Sequence, residues 1–264
     1  MAVKIFNEFK ENLKKGLPVA LATIIEGPGQ GAKLLLLPDG SYLGSLGNEK
    51  IDNVLSRDMA GELAAGRTSI RHYGIEGEAR EETLSIFIES FAPPPQMVIF
   101  GAVDFTAALV RIAKVLGYKV IVCDARPVFA TKARFPQADS VENEWPDQLM
   151  EKLGTSLGPR DAVCVLTHDN KFDVPAITSA LQTQVGYIGV MGSRKTHENR
   201  TERLIEAGVT TKEFERVMSP IGLDLGARTP EETAISICAE IIAMRTGRKA
   251  PHLKTIEGEI HGDR

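Results

Sequence analysis

Four short apolar runs constrain this fold more than anything else in the chain: Met97–Phe100, Val120–Cys123, Val163–Thr167 and Val185–Met191. They are rich in Val and Ile and show no polar alternation. A strand that is apolar on both sides must be covered on both sides, which is the condition of parallel strands in an α/β sheet. Between the first two runs, Phe105, Leu109, Ile112, Val115 and Leu116 recur at helical spacing, and Gly117 ends the stripe. This βαβ rhythm predicts a Rossmann-like, doubly wound parallel sheet over residues 96–249.

Upstream, Pro93-Pro94-Pro95 breaks helix and sheet alike and marks a domain seam. Segment 1–92 reads as a smaller N-terminal α+β domain. Leu17 to Ile25 alternates like a strand, and Lys33–Leu37 and Ser41–Leu46 flank a Pro38-Asp39-Gly40 turn. Ile51, Val54, Leu55, Met59 and Leu63 predict a helix stopped by Gly66, and Leu84, Ile86 and Ile88 predict a closing strand. At the other end, Thr229-Pro230-Glu231-Glu232 has the signature of a capping box before a helix that closes near Gly247. Residues 250–264 are polar and read as a flexible tail.

Composition removes several functions. The 31 Lys+Arg against 35 Asp+Glu leave a net charge of −4, which argues against nucleic acid as a partner. No apolar run reaches the roughly 18 residues of a membrane span, and residues 1–15 suit an amphipathic helix better than a signal peptide. Three cysteines without a CxxC pair give neither a disulfide framework nor a Cys-based metal site, and a cytoplasmic protein is expected. Cys164 and Cys238 read as small buried hydrophobes, and Cys123 is the one worth testing for reactivity.

Ligands of open α/β sheets bind beyond the carboxyl ends of the strands, so the residues just after each run are the candidates. Gly101 opens the first turn, but Val103 stands where a dinucleotide fingerprint has its second glycine, and Asp104 puts a carboxylate where an anionic ligand would otherwise bind. Asp104 reads either as a helix cap or as a ligand group. Asp124 lies 23 positions after Gly101, near the spacing of a ribose-binding acid, and equally suits a pair with Arg126. His168, Asp169 and Lys171 follow the third run as a polar cluster, with Asp173 read as a helix N-cap. Gly192, Ser193, Arg194 and Lys195 form either an anion seat at a helix N-terminus or a capped surface helix whose basic face includes Arg200 and Arg203. Asp224 and Arg228 sit in a glycine-bracketed loop before the last helix. No nucleophile, general base or metal ligand is assigned.

Taken together, Asp124-Ala125-Arg126-Pro127, Ala133-Arg134-Phe135-Pro136, Leu166-Thr167-His168-Asp169, Tyr187-Ile188-Gly189, Gly192-Ser193-Arg194-Lys195 and Pro220 to Glu232 resemble the C-terminal Rossmann domain of the xanthine dehydrogenase accessory (XdhC/CoxI) family. Leu21-Ala22-Thr23, Gly31-Ala32-Lys33 and Asp39-Gly40 to Gly44-Ser45 resemble a shortened version of its N-terminal domain. The family often has a cysteine after that Gly-Ser, where this chain reads Leu46-Gly47-Asn48-Glu49. The resemblance implies a maturation factor that holds molybdenum cofactor (molybdopterin) as cargo and delivers it to a molybdenum hydroxylase apoenzyme, such as xanthine or carbon monoxide dehydrogenase. A sulfur-donating cysteine desulfurase is a further implied partner, and a homodimer is expected. The alternatives are an oxidoreductase using NAD(P) or another nucleotide, and an interaction scaffold without a ligand.

Overall fold

A computed structural model describes residues 2–78 and 81–257, with the side chains of residues 155, 194, 195 and 197–199 outside that description. The expectation of a flexible tail therefore falls partly outside the described residues. The chain divides into two compact units, Met1–Pro94 and Pro95–Arg264.

The first unit runs α1 (Ala2–Lys14), β1 (Val19–Glu26), β2 (Lys33–Leu36), β3 (Tyr42–Ser45), α2 (Glu49–Ala65), β4 (Ser69–Tyr73) and β5 (Leu84–Phe91). Its antiparallel sheet has the order β3-β2-β1-β5-β4. The expected hairpin forms with Gly40 at φ 83°, and Gly66 ends α2 in the left-handed conformation at φ 64°. One sheet face packs Ala20, Ala22, Leu34, Ile86 and Ile88 against Ile51, Leu55 and Met59 of α2. On the other face Ile5 of α1 meets Val19 and Leu35, and Phe9 meets Phe91 edge-on at 5.0 Å. The strand read as closing the domain, β5, lies inside the sheet, because β4 pairs outside it. β4 carries no apolar alternation: its Arg71 reaches Glu62 of α2, and Tyr73 Oη donates to Asp58 at 2.6 Å.

The second unit contains β6 (Gln96–Phe100), α3 (Asp104–Val115), β7 (Lys119–Cys123), β8 (Ser140–Glu142), α4 (Pro146–Leu153), β9 (Ala162–Val165), α5 (Asn170–Leu181), β10 (Tyr187–Val190), α6 (Arg194–Glu206), α7 (Thr211–Phe214), β11 (Val217–Met218) and α8 (Pro230–Arg245). All six strands are parallel, in the order β11-β10-β9-β6-β7-β8. The chain starts at β6 in the middle, winds outward to β8, then returns and winds outward on the other side, so the order reverses between β6 and β9. Within each strand alternate residues feed two separate cores. Met97, Ile99, Val120, Val122 and Cys164 pack with α3 and α8; Val98, Phe100, Ile121, Val163 and Val165 pack with α4 and α5. This is why these strands read as continuous apolar runs.

Helix ends account for two corrections. Thr229 and Glu232 form the expected capping box on α8. Asp173, however, is not a cap: Asp169 caps α5, accepting from the Lys171 N–H at 3.0 Å, and Asp173 lies inside the first turn, fully buried. Asp104 does not cap α3 either, since the cap position belongs to Val103, which makes no side-chain cap bond.

Candidate functional site

The loops that leave the carboxyl ends of β6, β7, β9 and β10 surround a cavity of about 920 Å³. It spans the reversal in strand order, where open α/β sheets hold their ligands. Backbone bonds between neighbouring strand ends build its floor. Gly101 N–H donates to Cys123 O at 2.8 Å, Leu166 N–H to Phe100 O at 2.8 Å, and Met191 N–H to Val165 O at 2.8 Å.

Gly101 has φ 107°, and a Cβ there would stand 2.4 Å from Thr167 Cγ2. Its hydrogen lets the β6 turn lie against the β9 turn. Asp124 closes the same corner from β7. Its carboxylate accepts from the Ala102 N–H at 2.8 Å, from the Arg126 N–H at 2.9 Å, and from Arg126 Nε and Nη2 at 2.9 and 2.8 Å. Burial pushes this carboxyl up, but the Arg126 and backbone hydrogen bonds outweigh it and hold it below the usual aspartate value. Of the two readings of Asp124, the pair with Arg126 is the one formed. Arg126 then spreads over the Phe129 ring at 4.5 Å.

The cavity wall contains Asp104, Asp124, Arg126, His168, Asp169 and Lys171, so six of the sequence candidates converge. Asp104 points outward, its side chain 92% exposed and 3.6 Å from Arg134. Gly101 supports the wall from behind. Gly192 and Ser193 follow Met191, which lines the cavity, and Ser193 Oγ accepts from the Thr196 N–H at 3.2 Å to cap α6. The Arg194 and Lys195 side chains lie outside the described residues. Asp224 and Arg228 are exposed and do not line the cavity; their loop is tied to α8 by Gly222 N–H to Glu240 and by Ser236 to Leu223 O.

Of the further wall residues, Phe105, Trp145 and Arg203 carry no site signal in the sequence, whereas Asn170 and Phe172 lie within the 167–173 cluster that follows the third apolar run. Trp145 is the only tryptophan in the chain, lies directly before Pro146, and packs against Phe172 at 5.9 Å. A lone aromatic in a proline-interrupted, acidic stretch was the available signal.

Beneath the wall runs a buried polar chain. Thr167 Oγ1 donates to Asp173 Oδ1, and Arg200 Nη2 donates to Asp173 Oδ2 at 2.8 Å and to Met191 O at 3.0 Å. Burial raises the Asp173 carboxyl above its ordinary value, although Thr167 and Arg200 both pull it down. Arg200 is 2% exposed, which corrects the expectation that it belongs to a solvated basic face.

The cysteines are all buried. Burial pushes the Cys123 thiol up to about 12, and it donates to Glu144 O at 3.4 Å, so the expectation that it merits a reactivity test is not supported. Burial likewise raises Cys238 to about 12 and holds Cys164 well above the ordinary thiol value. At pH 8 the folded protein is expected to release no colour with an aromatic disulfide reagent, and all three thiols once denatured; a fast native phase would contradict this burial. Among the described residues no group of three or more His, Cys, Asp or Glu is arranged to hold a metal, and no helix is long and apolar enough to cross a membrane.

Comparison with known proteins extends these observations. A solved structure described as a xanthine dehydrogenase from Bacillus halodurans superposes with a TM-score of 0.55 at 22% identity, covering 93% of this chain and 97% of the other, and so shares the fold. A probable xanthine dehydrogenase subunit of Bacillus subtilis is 36% identical over 165 residues, 62% of this chain and 47% of that protein. The "Molybdenum cofactor insertion chaperone PaoD" of Escherichia coli is 25% identical over 162 residues, 61% of this chain and 44% of its own length. The matches thus span just under half the length of these curated relatives. The profile described as the XdhC Rossmann domain matches residues 97–241, and that of the XdhC and CoxI family matches residues 13–74. With its parallel sheet and its N-terminal segment both matched, the chain belongs to the XdhC and CoxI family.

Proposed function

We propose that this protein is an accessory factor that binds molybdenum cofactor in its second unit and passes it to a molybdenum hydroxylase apoenzyme. One observation carries the reading. A single 920 Å³ cavity brings three cations, Arg126, Lys171 and Arg203, together with three aromatic side chains, Phe105, Trp145 and Phe172. Cations suit a phosphate, aromatic faces suit a planar heterocycle, and the volume is at the upper end for small-molecule sites. His168 and Asp169 offer polar contacts on the same wall, and Gly192, Ser193, Arg194 and Lys195 are the proposed phosphate end, with Asp224 and Arg228 toward the partner. The donor set fits the organic and phosphate parts of the cargo. It offers molybdenum no thiolate, because the three thiols are buried. Any sulfur for the cargo therefore comes from outside, which supports a cysteine desulfurase as a second partner. Exposed Val3 and Phe6 on α1, at 74% and 60%, support a homodimer. The name of the Escherichia coli insertion chaperone supports the assignment of cargo, and that of the Bacillus subtilis relative supports a hydroxylase as client.

The strand order also suits a dinucleotide, as an oxidoreductase would need. Against it, the Asp124 carboxylate that would hold a ribose is already occupied by Ala102 and Arg126. Purification from cells that make the cofactor separates the two. Molybdenum and oxidised-pterin fluorescence are expected to co-purify with the wild type and to fall about tenfold in Lys171→Glu and Arg203→Glu, the loss of one charge-assisted contact. Retained NADH or NADPH without pterin would overturn the proposal, as would full retention in both variants.

A further inference from the structure

Arg200 lies seven residues after the cap of α6, two turns along the helix, so its side chain can run back beneath the first turn. It is among the largest fully buried side chains in the protein. A guanidinium has five N–H donors. Only Nη2 is used, for Asp173 and Met191 O, and among the described residues Nε and Nη1 have no partner although both are buried. Leaving such donors unpaired is costly, so an acceptor from outside the chain is the expected complement. The unpaired end faces the turn into α6. A Cβ at Gly192 would stand 3.5 Å from Arg200 Nη1 and 3.3 Å from Thr196 Cβ. That turn also presents the first N–H groups of a 13-residue helix, which have no acceptor within the helix.

We propose that Gly192, the first turn of α6 and Arg200 form a seat for a tetrahedral phosphate, with Arg200 supplying the charge from below. The inference rests on reading this unit as the binder of a phosphate-bearing ligand, and it replaces surface attraction with a buried, pre-paired cation. Asp173 fixes one edge of the guanidinium and leaves the other for the ligand's oxygens. The free donors are shielded from solvent, so phosphate enters as the 191–193 turn lifts. The same guanidinium bonds Met191 O and, through Asp173, Thr167, so an occupied seat is linked to both loops beside the cavity. The occupant is the phosphate of the cargo, and free inorganic phosphate is the competing source.

Inorganic phosphate and pyrophosphate, titrated calorimetrically into the whole chain, test the seat. The wild type is expected to bind, and Gly192→Ala and Arg200→Lys to bind at least about tenfold more weakly, while Lys119→Gln, an exposed position at the opposite end of the sheet, binds phosphate as the wild type does. Thermal melts report folding. If Arg200→Lys does not fold, Gly192→Ala decides, together with the arginine Nε–H signals of the wild type, one of which must shift on phosphate addition. No binding by the wild type, equal binding by Gly192→Ala, or no shifted arginine signal overturns the seat. Displacement of phosphate by the cofactor supports the cargo as its source, and simultaneous binding of both overturns that assignment. Phosphate binding without any cofactor retention would remove the proposed function yet leave the seat standing. Cofactor retention unchanged in both seat variants would leave the proposed function standing and overturn the cargo as the occupant of the seat.

Discussion

Asp173→Ala is expected to destabilise the second unit by about 3–5 kcal/mol, because it strands the buried Arg200 charge without its carboxylate. In a unit of this size that corresponds to a fall of roughly 6–20 °C in the melting midpoint. The magnitude reflects what is left behind. Burial raises the Asp173 carboxyl in spite of Arg200, so the desolvation of the pair is not fully repaid by its attraction. The double variant Asp173→Leu with Arg200→Met, which removes both charges, is therefore expected to be more stable than either single variant. Calorimetric melts of the three proteins check this. A loss below about 1 kcal/mol in Asp173→Ala would mean that Arg200 reaches water, contrary to its burial.

The second large effect is expected at Gly101→Ala. The new methyl would meet Thr167 Cγ2 at 2.4 Å and the Thr167 backbone nitrogen at 3.2 Å, at φ 107°. Neither neighbour is the far end of a flexible chain, so the β9 turn must move. Overpacking costs about 1–3 kcal/mol and the backbone conformation about 1 kcal/mol more. Gly117→Ala is the control, since Gly117 has φ 82° with open space around it and should lose only the backbone part. Cofactor retention should drop in Gly101→Ala and not in Gly117→Ala, because only the former displaces Thr167 and His168. Equal melting temperatures in the two variants would show that the close approach of β6 and β9 does not constrain the site.

Much of this fold is legible in the sequence. β6, β7, β9 and β10 are buried on both faces and announce themselves as uninterrupted apolar runs. β8 and β11, with three and two residues at the sheet edges, bury too little to leave a pattern, and β4 is masked by Arg71 and its partner in α2. The cluster at 168–171 was readable because strand ends locate ligands in such sheets. Arg200 was not, since charge in a helix normally signals solvent and nothing local reveals an acid 27 positions away. Trp145 escaped for a similar reason: its neighbours in the chain are polar, and only the fold brings it to Phe172.

Because all three native thiols are buried, a reporter can be installed without first stripping the chain of its own cysteines. A cysteine at position 104, on the rim and turned to water, would carry an environment-sensitive dye as the sole modified position. Occupancy of the hollow beside it then becomes a fluorescence reading, independent of which molecule arrives.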